Sequence, residues 1–519
     1  MEILEDKALV FRTRNPHKYR IIPKHKIMER MDGGYDVAVY WGLDECRVLK
    51  NLGVKDVPSP ITRRYNWPGR YKPMAHQVET AAFLTLNKKS FVFSEPGTGK
   101  TLSALWAADY LMQRGDVRRC LILCPLSIMH SAWLNDLNNS IIHRSAIVAH
   151  HAQSSRRIEM IQQDYEFVIC NYDGLNLIAQ EIVNDGRFDL IIVDEANAYK
   201  TMTTKRWKTL KSIMQPNTHL WMMTGTPASQ SPADAYGLAK LVNPDGVPKF
   251  FTAWRDQVMN KITMFKWAAK SNAAEMVHQA LQPAIRFTKE QCLDLPPVLT
   301  MTREVPLTPQ QKKYYDLLKE RMLVQAAGET ITAVNAAAGV SKLLQISCGA
   351  AYTDDKEVVE FDASPRLGVL EEILEETSRK VLIFAMFRST IDSIHNHLLK
   401  QGLAAEVIHG GVTATKRADI IHRFQTTPTP RVLVMQPQAT AHGITLTAAD
   451  TVVFYGPLMS VEQYVQCIAR ADRKGQDSDK VTVIHIQGSP IEKKMFRALE
   501  SKVSDNSLLT DMFTTEINS

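Results

Sequence analysis

A lysine beside a hydroxyl, Lys100 and Thr101, closes the run SEPGTGKT that starts at Ser94, follows the apolar stretch Ser90 to Phe93 and opens an apolar helical stretch. Those residue types in that order can hold the phosphates of a nucleoside triphosphate. The turn Glu95, Pro96, Gly97, Thr98 and Gly99 offers backbone N–H groups and a helix N-terminus, Lys100 neutralises the β and γ oxygens, and Thr101 ligates Mg2+. The pattern is GxxxxGK[ST] with Ser94 in place of the first glycine. A glycine-rich turn that merely caps a helix is the competing reading.

Three more groups bear on the same chemistry. In FDLIIVDEANAYK the apolar run Leu190 to Val193 delivers Asp194 and Glu195 to the carboxyl end of a strand, where ligands of open α/β sheets bind. Asp194 can hold Mg2+ through water, and Glu195 can orient and deprotonate an attacking water. Alone, such a pair is an ordinary acidic strand end, and Asp189, Asp194, Glu195 and Lys200 could be drawn as a nuclease site. The upstream phosphate loop decides for a nucleotide. Thr224 heads TGTP at the end of another buried strand, where short hydroxyls can sense a γ-phosphate. Arg470 and Arg473 in QCIARADRKGQ stand three apart on what should be a helix, so that two guanidiniums project from one face toward developing phosphoryl charge; a solvated basic helix is the alternative. Acids and lysine in one half with arginines in the other would let a site open and close with each nucleotide cycle.

The elements that must position these groups alternate as short β-rich runs and helical stretches, twice over, which is the signature of two parallel α/β units. In the first, strands are expected at Ser90 to Phe93, Arg119 to Cys124, Phe167 to Asn171, Leu190 to Asp194 and Leu220 to Thr224. In the second they fall at Lys380 to Ala385, Ala405 to Ile408, Arg431 to Met435, Thr451 to Tyr455 and Lys480 to Ile486. The segment between shows no such alternation and reads as helical, for example over Gln310 to Ala327 and Ala333 to Cys348. Before the first unit, Tyr35 to Tyr40 alternates as a strand, Leu43 to Leu52 looks like an amphipathic helix, and Pro58 and Pro60 mark a crossing. The expected organisation is an N-terminal α+β extension over 1–65, a first lobe over 66–245, helical insertions and a connector over 246–363, a second lobe over 364–490, and a C-terminal helix and tail over 491–519.

Composition sets the outer bounds. A 519-residue chain that is 45% hydrophobic and 23% charged is an ordinary globular protein with ample core. Its net charge of +7 permits a polyanionic partner without demanding one, and reads as too diffuse to argue from. Seven cysteines without a CxxC pair do not form a disulfide or zinc framework, and Cys120 and Cys124 share one face of a buried strand. His395 and His397 do not share a helix face, and neither they nor His150 and His151 read as a metal site. With no membrane-length apolar run and no leader-like segment, the expectation is a soluble, monomeric, cytoplasmic protein with no membrane contact.

Taken in order, these segments resemble the SNF2 (Swi2/Snf2) group of superfamily 2 helicases. Gln77 in MAHQVETAAFL resembles the adenine-reading Q motif, LILCPLSIMHSAW resembles segment Ia with Trp133 in place, and VICNYDGL resembles the next strand. TGTPASQSPADAYGLAKLVNP is close to TGTPxxNxxxEL, with Gln230 and Asp234 where Asn and Glu are usual. IRFTKEQCLDLPPV followed by PLTPQQKKYYDLL is the piece most particular to this group. KVLIFAMF, VIHGG with Arg417, QPQATAHGITLTAAD and QCIARADRKGQ resemble segments IV, IVa, V and VI. The chain departs at Asn197 for the His of a DEAH box, Ala441 and His442 for a glycine pair, Thr445 for Asn and Asp472 for His. None of these removes a phosphate, metal or arginine group. GLDECRVLKNLGV with WPGRYKPMAHQVETAAFLTLN resembles the short SNF2-type helicases of phages and prophages.

The resemblance implies two tandem RecA-like parallel-sheet lobes, ATP with Mg2+, Gly443 among the nucleotide contacts, and duplex DNA gripped by its backbone near Trp133, Tyr172, His409 and Thr447. Lys200, Lys205, Arg206, Lys208 and Lys211, with Trp207 among them, either join that track or form a solvated helix face. The implied activity is an ATP-driven motor moving on double-stranded DNA and remodelling forks, recombination intermediates or bound proteins, with replication or recombination proteins as further partners. A strand-separating helicase and a nucleotide-gated binding module with little turnover are the alternatives.

Overall fold

The computed structural model describes residues 1–225, 231–262, 267–292, 297–328, 333–352, 357–440, 444–473 and 475–501. The readings made at Thr226, Pro227, Gln230, Ala441, His442 and Gly443 lie outside them. The described residues divide into two compact units, one within Met1–Pro227, Ala235–Phe251 and Glu275–Cys292, the other within Ala228–Asp234, Thr252–Ala274 and Leu293–Ser519.

In the first unit, apolar runs such as CLILC, FVICN and LIIV become strands with both faces covered, as all-parallel sheets require. They form a seven-stranded sheet in the order Ala284–Ile285, Lys89–Val92, His219–Met223, Phe188–Asp194, Arg119–Cys124, Phe167–Asn171, Ala146–Val148. Register does the positioning. Met223 lies opposite both Val92 and Asp194, so the phosphate loop, the acid pair and Thr224 leave the sheet at one edge. The same unit carries the N-terminal antiparallel sheet of β1 (Glu2–Leu4), β2 (Ala8–Thr13), β3 (His25–Glu29) and β4 (Tyr35–Tyr40), in the order β1-β2-β4-β3. Its inner face packs Leu9, Val37 and Val39 against Trp41, Cys46 and Leu49.

The second unit holds a six-stranded parallel sheet in the order Val298–Glu304, Val481–Gln487, Ala449–Phe454, Lys380–Phe384, Val432–Met435, Ala405–Ile408. The expected α/β architecture with two parallel sheets and a small N-terminal sheet is therefore the observed one. The segment read as helical insertions and a connector does contain the helices Pro309–Gly328 and Ala333–Ser347. It also contributes an edge strand to each sheet, Ala284–Ile285 beside Lys89–Val92 and Val298–Glu304 beside Val481–Gln487. Neither left a periodic trace. The first is two residues long, and the second keeps Val298, Leu299 and Met301 exposed, so nothing alternates. The seven cysteines are free, Cys120 and Cys124 being buried. No helix among the described residues is long and apolar enough to cross a membrane.

One core residue carries a pH dependence. His219 opens the strand His219–Met223 at 4% exposure, and its Nδ1 has no partner among the described residues. Burial, reinforced by Arg47 and Lys88, pushes its pKa down to about 3 from 6.5. The folded chain thus keeps it neutral while the unfolded chain protonates it, so stability is full above 6.5 and is lost as pH falls toward 3. Between pH 7 and 5 this group is expected to withdraw about 2 kcal/mol, at about 1.36 kcal/mol per pH unit. Urea midpoints at the two pH values check it; a His219→Gln protein with the same pH response would contradict it.

Candidate nucleotide-binding site

The loop between Val92 and the helix Lys100–Gln113 takes its shape from Gly97 at φ +91° and Gly99 at φ +78°, a region closed to most side chains. Ser94 carries no such constraint, which explains why the first glycine is dispensable; its Oγ accepts the N–H of Phe287 at 3.2 Å. Gly99 caps the helix without a side-chain bond, and the first-turn N–H groups have no intrahelical partner. A Cβ at Gly99 would stand 2.1 Å from Gln77 Nε2. Lys100 Nζ donates to the carbonyls of Ser94 at 2.7 Å and Glu95 at 3.1 Å.

Across the sheet edge, Asp194 accepts the Trp133 indole N–H at 3.0 Å on one oxygen and the Glu195 N–H at 3.0 Å on the other. Desolvation pushes the Asp194 carboxyl up, opposed by the Lys100 charge and by both donors. Glu195 sits at φ +48°, ψ +58°, an uncommon conformation for a side-chain-bearing residue, and starts the turn Ala196–Tyr199. Tyr172 Oη donates to the Asp194 carbonyl at 2.6 Å, fixing that turn from below. Thr224, fully buried, donates its N–H to Val92 O at 3.0 Å, and the next residue comes so close that a Cβ on Gly225 would lie 2.8 Å from Pro96 Cδ. Loop, acid pair and third strand end thus form one cluster. Thr101 Oγ1 has no hydrogen-bond partner among the described residues, and Asp194 keeps a partly exposed edge. An uncapped helix start, a lysine and a carboxylate fit a triphosphate with a divalent cation.

Several expectations need correction. Trp133 has no exposed surface and its one N–H is committed to Asp194, so it positions the acid and cannot lie against DNA. Tyr172 likewise turns its hydroxyl inward, although its ring remains half-buried beneath the Arg206 guanidinium. Gln77 is 2% exposed, its Oε1 accepting the Met74 N–H at 2.9 Å and its Nε2 reaching Gly99 O at 3.3 Å, so its carboxamide braces the loop. Trp207 is buried with its indole on Gly237 O, and Arg206 pairs with Asp173, which leaves Lys205, Lys208 and Lys211 as an exposed helix face.

In the second unit, the helix Val461–Ile468 stops short of Arg470, so the two arginines do not share a helix face. The override is tertiary: Arg470 is 5% exposed, with Nε on Gln466 O at 2.9 Å and Nη1 on Ile444 O at 3.1 Å, and its own carbonyl takes the Leu446 N–H. Arg473 follows, half-buried. His409 Nδ1 accepts the Gly411 N–H at 3.0 Å, and Thr447 Oγ1 accepts from Gln425 at 3.4 Å; both stay half-buried.

The sequence reading missed the support behind the loop. Asp109, fully buried on the phosphate-loop helix, accepts from Tyr65 Oη at 2.6 Å, Arg144 Nε at 2.6 Å and Gln113 Nε2 at 2.8 Å. A buried carboxylate so surrounded fixes a helix that mere packing would leave free to slide. Lys289, beyond the edge strand Ala284–Ile285, donates its N–H to Glu95 Oε2 at 3.1 Å. No sequence pattern announced either.

A glycine-shaped phosphate turn with its lysine, and an acid pair on a parallel strand separated from it by the strand His219–Met223, define a P-loop nucleotide-binding chain. Residues 76–349 match the SNF2-related domain and residues 366–475 the helicase conserved C-terminal domain; the first match alone spans more than half of the chain, which belongs to the SNF2-related family. The chain is similar to chromodomain-helicase-DNA-binding protein 1-like of Mus musculus, 24% identical over 488 residues, covering 88% of this chain and 53% of that protein. It is also similar to the SWI/SNF-related matrix-associated actin-dependent regulator of chromatin subfamily A-like protein 1 homolog of Caenorhabditis elegans, 26% identical over 489 residues, covering 90% and 66%. This chain thus spans 53% and 66% of the length of these two relatives. Among solved structures, the Sulfolobus solfataricus SWI2/SNF2 ATPase core in complex with dsDNA matches with a TM-score of 0.42 at 20% identity, covering 87% of this chain and 95% of that one.

Proposed function

We propose that this chain is a DNA-dependent ATPase of SNF2 type that converts hydrolysis into movement along double-stranded DNA and remodels DNA structures or protein–DNA complexes. The observation that carries the reading is the pairing, on one sheet edge, of the uncapped helix start at Lys100 with the half-buried Asp194, whose carboxyl responds to the lysine charge. ATP is the substrate these groups suit. When bound, Mg2+ supplies positive charge against the β and γ oxygens, and Thr101 and Asp194, the latter through water, are the residues to hold it. Lys100 exchanges the carbonyls of Ser94 and Glu95 for phosphate oxygens. Glu195 takes a proton from the attacking water, and Arg470 and Arg473 meet the charge that develops on the transferred phosphoryl group.

Backbone gripping gives sequence-independent binding to duplex DNA, and His409 and Thr447 remain our candidates for phosphate contact. Replication, recombination or repair of phage DNA, alongside replication or recombination proteins, is the setting we assign, on the likeness of Gly42 to Val54 and Trp67 to Asn87 to phage-encoded members. Steady-state ATP turnover with duplex, single-stranded, forked and RNA ligands at fixed salt tests the proposal. Duplex-containing ligands are expected to stimulate most, with displacement of a triplex-forming strand and no separation of the duplex. Maximal stimulation by single strands or RNA would overturn it.

A further inference from the structure

One stretch of the N-terminal sheet carries basic residues without acidic ones. Between Lys7 and Met28 lie seven of the 62 basic residues and none of the 55 acidic ones, the acids of the same sheet, Glu2, Glu5, Asp6, Glu29, Asp32 and Asp36, standing on either side of that stretch. The segment forms β2, the crossing at His17–Ile21 and the start of β3. Lys7, Arg14, Lys18, Arg20, Lys24 and Lys26 are all exposed, and none forms an ion pair among the described residues.

Register arranges part of this charge on the outer face of the N-terminal sheet. Val37 and Val39 point into the core, so Ala38 and Tyr40 point out, and with them their cross-strand partners Val10 and Ala8 on β2 and Lys26 on β3. Lys24 follows at the end of the row, its carbonyl accepting the Tyr40 N–H at 2.9 Å. The floor is small, and of the charges on this face Asp36 is paired with Arg12 and Arg30 while Lys24 and Lys26 are in no ion pair among the described residues. Tyr40 is 39% exposed, with Lys24 Nζ 4.8 Å and Arg64 Cζ 5.5 Å from its ring centre. The sheet is fastened to the body bearing the phosphate loop: Arg47 Nε and Nη2 donate to Thr85 O at 3.1 and 2.9 Å, and Ser59 Oγ meets Thr85 Oγ1 at 2.7 Å.

We propose that the N-terminal sheet, with Arg14, Arg20, Lys24 and Lys26, is a separate contact for a nucleic-acid phosphate backbone that holds the ATP-binding unit to its DNA. Exposed lysines and arginines without ion-pair partners, gathered on one acid-free segment, are the electrostatic footprint of a polyanion partner, and each phosphate contact adds about 0.9 to the salt slope. The proposal rests on the DNA-acting reading above.

The test measures binding of the full chain to duplex and to single-stranded DNA over a salt series, with Arg14→Ala/Arg20→Ala/Lys24→Ala/Lys26→Ala beside the wild type. The slope of log K against log salt is expected to shrink by about 3 to 4, with at least a tenfold loss of affinity at low salt, while DNA-free ATP turnover stays unchanged. The duplex and single-strand arms tell which form supplies the phosphates. A charge-keeping protein, Arg14→Lys/Arg20→Lys/Lys24→Arg/Lys26→Arg, is expected to restore the slope, which separates lost charge from a disturbed sheet. An unchanged slope in the alanine protein overturns the proposal, and so does loss of binding to anionic phospholipid vesicles with DNA binding intact. A wild-type chain that binds no DNA removes the motor reading itself.

Discussion

Glu195→Gln is expected to bind ATP as the wild type does and to hydrolyse it, under DNA stimulation, roughly 10²–10⁴-fold more slowly, the range attributed to a positioned general base. The geometry separates the two effects. On the proposed reading the groups that hold phosphates are the loop N–H groups and Lys100, none of which is among the partners of the Glu195 backbone named above. The left-handed turn at Glu195 is held from outside its side chain, by its N–H on Asp194 and by Tyr172 Oη on the Asp194 carbonyl. A glutamine of equal shape therefore leaves the strand end in place while removing the proton acceptor. Equilibrium titration with a fluorescent nucleotide, paired with steady-state rates, reads binding and turnover apart. An unchanged rate would remove Glu195 from the chemistry, and lost binding would mean that the turn itself had moved.

Arg366→Ala is expected to cost about 3–5 kcal/mol of stability, because it strands a buried carboxylate. Arg366 is 3% exposed and Glu492 fully buried, with 2.6 Å between them. Burial pulls the guanidinium's pKa down, and the Glu492 charge more than restores it. The same guanidinium donates to the carbonyls of Ser347, Tyr455 and Ile486, joining the end of the helix Ala333–Ser347 to two strands of the second sheet. Glu492 meanwhile accepts the N–H groups of Gly488 and Ser489. Its loss therefore orphans donors as well as a cation. Chemical denaturation of both single alanine variants and of the double variant is expected to show the double costing clearly less than the sum. Strict additivity would mean that the pair is not coupled.

Legibility followed how locally each feature is encoded. Arg119 to Cys124 and Phe167 to Asn171 are strands with the bounds their apolar runs suggest, because a strand covered on both faces writes its burial into consecutive residues. That Lys100, Thr101, Asp194 and Glu195 stand together at one sheet edge is foreseeable for a related reason: the ends of the strands that carry them are visible in the sequence. The failures need contacts from afar. Nothing near Trp133 says that its indole faces Asp194, 61 positions on. The stretch Ala469 to Arg473 is rich in helix formers, and only the carbonyls of Gln466 and Ile444 explain why the chain leaves the helix there. Asp109 reads as one polar residue in an amphipathic helix until Tyr65 and Arg144 are seen to converge on it.

The late strand Ala284–Ile285 bears on synthesis. Until a ribosome has passed Ile285, Lys89–Val92 is the border of its sheet, with a row of amide groups bare beside the apolar Phe91 and Val92. Bare borders of that kind invite pairing with other chains. A nascent chain stalled near residue 245 would hold every candidate site residue of its first unit and still be sticky, so a truncation meant to isolate that unit has to run past Lys289 to cover that border.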